Sequence, residues 1–112
     1  MADVLIVLIT ADSKKTSKAI IKLLLEKRLA ACVQETAQVN SAYWWKGGIR
    51  KSREIPLVIK TIKQHLNTII KEVKKIHPYE VPEIISVNIS GGSADYIKWI
   101  KKETKSLKKN RG

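Results

Sequence analysis

With 112 residues, 44% hydrophobic and 29% charged, the chain is sized and composed for one globular domain spanning 1–112, and no apolar run approaches the roughly 20 residues of a membrane helix. Lys and Arg outnumber Asp and Glu by 22 to 10, a formal net charge of +12, which attracts nucleic acid only nonspecifically. From Lys101 on, six basic residues face one acid, Glu103, so net +5 belongs to a solvated helix end and the basic tail that follows it at about 103–112.

Val4 to Thr10 is apolar on both sides, as a central strand covered on both faces should be. Val4–Ile9 is too short, and follows Asp3, so it does not read as a signal peptide. Together with a lone Cys32, which excludes an internal disulfide, this predicts a cytoplasmic protein. Ala11-Asp12-Ser13 offers caps for a first helix over Lys14–Leu29, striped by Ile20, Leu23 and Leu24. Ala31 to Asn40 alternates, and Ile55-Pro56-Leu57-Val58-Ile59 opens a short buried strand that ends at Thr61. Between them, Tyr43-Trp44-Trp45-Lys46-Gly47-Gly48-Ile49 reads as the tip of a long hairpin, its glycines supplying the positive φ of a tight turn.

A second helix over Lys63–Ile76 has the cleanest periodicity, with Leu66, Ile69, Ile70, Val73 and Ile76 on one stripe. Pro78 ends it. His77-Pro78-Tyr79-Glu80-Val81-Pro82-Glu83 is then a stiff connection into a strand over Ile84–Ile89. Ser93 caps a last helix that docks through Tyr96, Ile97, Trp99 and Ile100. The order β-α-β-β-α-β plus a C-terminal helix is the α+β, ferredoxin-like plan, which places its first and third strands centrally.

On the hairpin, Tyr43 and Trp45 point to one face and Trp44 to the other. The chain's own helices cover only one face, so the other calls for a second subunit, and Tyr43, Trp44 and Trp45 are the predicted interface residues. Enzyme signatures are missing: there is no G-x-S-x-G, P-loop or GxGxxG. The predicted protein is therefore not an enzyme. An RNA-recognition domain shares this element order but needs aromatics on its third strand, and the chain contains no Phe. Cys32 reads first as a small buried hydrophobe and His77 as a helix-end residue. Together they offer one soft and one borderline ligand, suited to Cu²⁺ or Zn²⁺ if the fold brings them close. His65 reads as solvated on the polar side of its helix.

Five motifs in order, Leu29-Ala30-Ala31-Cys32, Tyr43-Trp44-Trp45-Lys46-Gly47, Ile59-Lys60-Thr61, His77-Pro78-Tyr79-Glu80-Val81-Pro82-Glu83 and Asp95-Tyr96-Ile97-Lys98-Trp99, closely resemble the CutA family of divalent-cation tolerance proteins. The resemblance covers about residues 4–102. It implies a homotrimer built partly through the long hairpin, with a PII-like assembly and a link to copper tolerance. It also implies metal at Cys32 and His77; the inferred fold sets their strands at opposite sheet edges, so such a site is expected across a subunit boundary, and Trp45, Lys60, Tyr79 and Glu83 are the candidates to line a cleft. No obligatory cofactor is implied. Some members carry a further cysteine where this chain has Ile9. The reading is a trimeric protein that binds divalent metal or a small ligand weakly at an intersubunit cleft. The alternative is a PII-like signalling module with no direct metal role.

Overall fold

β1 (Val4–Ala11) and β4 (Gly48–Ile62) pair antiparallel from Val4↔Ile62 to Ala11↔Ile55, in a computed structural model that describes residues 3–105. The tail beyond 105 lies outside the described residues. β2 (Cys32–Glu35) flanks β4 on the outside and β5 (Ile84–Asn88) flanks β1, giving the sheet order β2-β4-β1-β5. β3 (Val39–Trp45) follows β2 along β4 and forms the hairpin arm. α1 (Lys14–Glu26), α2 (Leu66–Ile76) and α3 (Ala94–Glu103) complete the predicted ferredoxin-like order. The two strands that read as apolar on both sides are the two central ones.

Strand alternation divides the sheet. Val7, Ile9, Ala11, Ile55, Leu57 and Ile59 join Ile20 and Leu24 of α1 and Ile69 and Val73 of α2 in one buried core. Truncating any of the larger ones to Ala leaves a cavity, and such changes cost about 2–5 kcal/mol for a large aliphatic. The opposite face carries Ile6, Leu8 and Val58, half-buried, with Ile85 and Val87 about half exposed. The register places Val87 beside Ile6 and Ile85 beside Leu8, so this apolar face is continuous, and among the described residues no helix core covers it. Ile85 and Val87 share a face as predicted, and it is the uncovered one.

α1 stops short of the predicted Leu29. Ser13 caps its start, its Oγ accepting from Thr16 N at 3.2 Å. At its end Arg28 takes φ 55°, Leu29 N donates to Leu24 O at 2.9 Å and Arg28 N to Leu25 O at 3.1 Å. That pair of bonds is a Schellman ending with arginine where glycine is usual, so the sequence carried no stop signal. α2 is preceded by a 3₁₀ turn at Lys63–His65, within the predicted helix. α3 docks less than predicted: Ile100 is buried, whereas Tyr96 and Trp99 are 44% and 39% exposed.

The predicted strand Ala31–Asn40 is two strands. Val33 opposes Ile59 and Val39 opposes Glu54, so the outer chain carries one residue more than β4 between the two ladders. Pro56 sits at this bulge. Thr36 N donates to Pro56 O at 3.0 Å, and proline has no N–H to return the bond. Beyond it, β4 runs out through Arg50, Lys51, Ser52 and Arg53 to the turn. Its 15 residues, at about 3.4 Å each, span about 50 Å, which matches the longest dimension of 50 Å. The turn is type I′, with Lys46 at φ 49° and Gly47 at φ 79°. Gly48 is already the first residue of β4, so Lys46 takes the strained position expected of a glycine.

Candidate functional site

Where the hairpin arm leaves the sheet, it and the connection after α2 enclose an open cleft of about 810 Å³. Tyr43, Trp44 and Trp45 form one side, Pro78, Tyr79, Glu80, Val81 and Glu83 the other, and Thr10 and Glu54 lie among its lining groups. The connection is held by His77. Its N–H closes α2 on Val73 O at 2.9 Å. Its Nδ1 accepts from Tyr79 N at 3.2 Å, and its Nε2 lies 2.8 Å from Thr10 O. An Nδ1 that accepts is unprotonated, so Nε2 carries the proton and donates it to Thr10. The His77 and Tyr79 rings then stand 4.9 Å apart, with Tyr79 facing the cleft.

The cleft is acidic. Glu54 is buried, with 7% of its surface exposed. Burial, then hydrogen bonding to and charge from Glu54, push the Tyr79 phenol up to about 12. Burial, then the Glu54 charge, also raise Glu83 above the usual carboxylate range. A second phenol, Tyr43, bonds Ser52 Oγ at 3.2 Å. At the rim Lys46 Nζ lies 5.6 Å from the Trp45 ring centre and 3.9 Å from Glu80 Oε1. Tyr79 is thus a neutral donor at neutral pH, beside carboxylates that accept.

Trp45, Tyr79 and Glu83 come together as expected of cleft residues, joined by Tyr43 and Trp44. Lys60 does not. It lies on the uncovered sheet face, where its Nζ donates to Gln34 Oε1 at 2.5 Å and it pairs with Cys32 across the ladder. Its predicted place in the cleft is corrected by register: Lys60 lies opposite Ile6, whereas the cleft lies beyond Thr10↔Pro56.

Cys32 and His77 are not brought together within the chain. Cys32 aligns through Lys60 with Ile6, two strand spacings and four residues from the Thr10 that His77 grips, about 16 Å. Both His77 ring nitrogens are engaged, and among the described residues no three His, Cys, Asp or Glu side chains converge. One chain therefore does not fit a copper or zinc ion at this pair. His65 is not solvated as read: its Nε2 lies 2.6 Å from Thr104 O and ties α3 to the start of α2.

Glu54 was missed. It follows Arg50, Lys51 and Arg53 on a polar arm, and only the register, two residues past Pro56, turns it into the cleft. Its one sequence signal is that it is the sole acid on that arm.

The family model described as CutA1 divalent ion tolerance protein matches residues 5–103. The Thermus thermophilus divalent-cation tolerance protein CutA is 37% identical over 99 residues, covering 88% of this chain and 96% of its own. The chloroplastic protein CutA 1 of Oryza sativa is 35% identical over 101 residues, 90% of this chain, which spans only 57% of the rice protein. Among solved structures, CutA from Xylella fastidiosa superposes with TM-score 0.89 at 36% identity, over 93% of this chain and 100% of its own. Matched in fold and in sequence over most of its length, the chain belongs to the CutA1 divalent ion tolerance family.

Proposed function

We propose that the protein is a non-catalytic homotrimer of the metal-tolerance response, which holds a small ligand in the cleft between hairpin and connection. The observation that carries this reading is the cleft itself: a buried carboxylate, Glu54, beside a neutral phenol and an aromatic wall, on a rigid frame. Such a site binds and orients a ligand. It offers no base–nucleophile pair to transform one.

The trimer is supported by the continuous apolar face of Ile6, Leu8, Val58, Ile85 and Val87, and by Trp44, which is 73% exposed at the arm. Burying one aromatic removes roughly 150–250 Å² from water, and an obligate interface of about 2,000 Å² or more is the size such a face supplies. The cleft is continuous with this face, because Glu54, Val58 and Thr10, Leu8 follow the same alternation. A neighbouring copy therefore completes it. The lone free thiol favours the cytoplasm as its compartment.

Divalent copper or zinc binds weakly on this reading. A site at Cys32 and His77 needs two copies, and the ion must replace hydrogen bonds that His77 already makes, at about 1 kcal/mol each. Calorimetric titration with Cu²⁺ of wild type, Cys32→Ser and His77→Ala tests it. Weakened binding in both variants supports a shared site. Unchanged binding in both removes the direct metal role, and the PII-like ligand-sensing reading, favoured by the aromatic and acidic cleft, takes its place.

A further inference from the structure

We propose that the cleft takes a small organic cation, an alkylammonium group held against its aromatic rings and carboxylates. The inference rests on the reading of the cleft as a ligand site and names the ligand's class. Charge is the first ground. The chain carries 22 Lys and Arg against 10 Asp and Glu, yet among the described residues of one chain Glu54, Glu80 and Glu83 line the cleft and no Lys, Arg or His does. Segregating three acids into one cleft of a strongly basic protein selects for positive charge and repels anions.

The aromatic wall decides what kind of cation. A hard metal ion takes six or more oxygen ligands, and among the described residues no three carboxylate, imidazole or thiol groups are placed to hold one ion. Tyr43, Trp45 and Tyr79 instead line it, and the negative quadrupole of an aromatic face attracts a weakly hydrated, bulky cation. The volume of about 810 Å³ falls in the range of small-molecule sites, about 300–1,000 Å³.

Lys46 is the third ground, because it already does at the rim what the ligand does inside. Its ammonium sits 5.6 Å from the Trp45 ring centre and 3.9 Å from Glu80. Both partners of that ion pair are about two-thirds exposed or more, with 68% and 71% of their side-chain surface open, so the contact is weak. An incoming ammonium displaces it.

The test is titration of the full chain with tetramethylammonium chloride, followed by NMR at the Trp45 indole and Tyr79 amide, with sodium chloride as the ionic-strength control. Saturable shifts at both are expected, with the Trp99 indole on α3 unmoved and no saturable response to uncharged tert-butyl alcohol. Glu83→Gln and Trp45→Leu each weaken binding about fivefold or more, whereas Lys46→Ala tightens it about threefold by removing the internal competitor. An equal response to the alcohol overturns the proposal, as does a loss of affinity in Lys46→Ala. If zinc chloride moves these signals and tetramethylammonium does not, the ligand class is wrong and the cleft reading stands. If neither moves them, both fall.

Discussion

His77 donates its Nε2 proton to the carbonyl of Thr10 at 2.8 Å, across 67 residues of chain. One imidazole thereby fixes the end of α2 to the end of β1, and its other nitrogen orders Tyr79. Replacing it with Ala leaves a buried carbonyl and an amide without partners, a loss of about 1–3 kcal/mol. Urea denaturation of His77→Ala measures this, and Tyr79 should lose its protected amide in hydrogen exchange. Unchanged stability would mean the ring is not the tie described.

Glu54 and Tyr79 are coupled, which a titration can read. The Tyr79 phenol is pushed up to about 12, chiefly by burial and then by Glu54. Glu54→Gln keeps the burial and removes the charge, so the phenolate absorbance should appear at lower pH without falling fully to the ordinary 10.0. No movement on that substitution would show that the carboxylate does not reach the phenol.

Glu83 makes a pH prediction with a definite sign. Its folded-state pKa is raised above the ordinary 4.5, so folding favours its protonated form. That contribution is complete below 4.5 and is lost as pH rises through the raised value. Glu83→Gln should therefore raise the melting temperature at neutral pH and change it little near pH 4. A stabilisation confined to acid would reverse the sign and sink the argument.

The hairpin turn carries a fourth, local test. Gly47 holds φ 79° with nothing near its missing Cβ, so Gly47→Ala is strained by conformation alone, about 1 kcal/mol. Lys46→Asn, at φ 49°, should instead stabilise the arm modestly. Both are read as shifts in thermal midpoint.

The fold was legible because its signals are local. β1 and the inner stretch of β4 from Ile55 are apolar on both sides, α2 has an unbroken stripe, and Pro78 marks a boundary. Arg28 defeated the helix end because the Schellman geometry was adopted without a glycine. The break at Thr36–Gln38 escaped notice since a bulge is set by the opposing Pro56, which is distant in sequence. The site was half legible for the same reason. Trp45, Tyr79 and Glu83 stand in two continuous motifs, whereas Glu54 joins them only through strand register, and that register also carries Lys60 away.

The uncovered sheet face remains the feature on which the account turns, because trimer and completed cleft both depend on it. Sedimentation velocity at low micromolar concentration measures it directly, on wild type and on Ile85→Lys with Val87→Lys. The account predicts a wild-type particle of three times 12.7 kDa, about 38 kDa, and loss of that particle in the double variant. A stable, folded wild-type monomer at 12.7 kDa would contradict it.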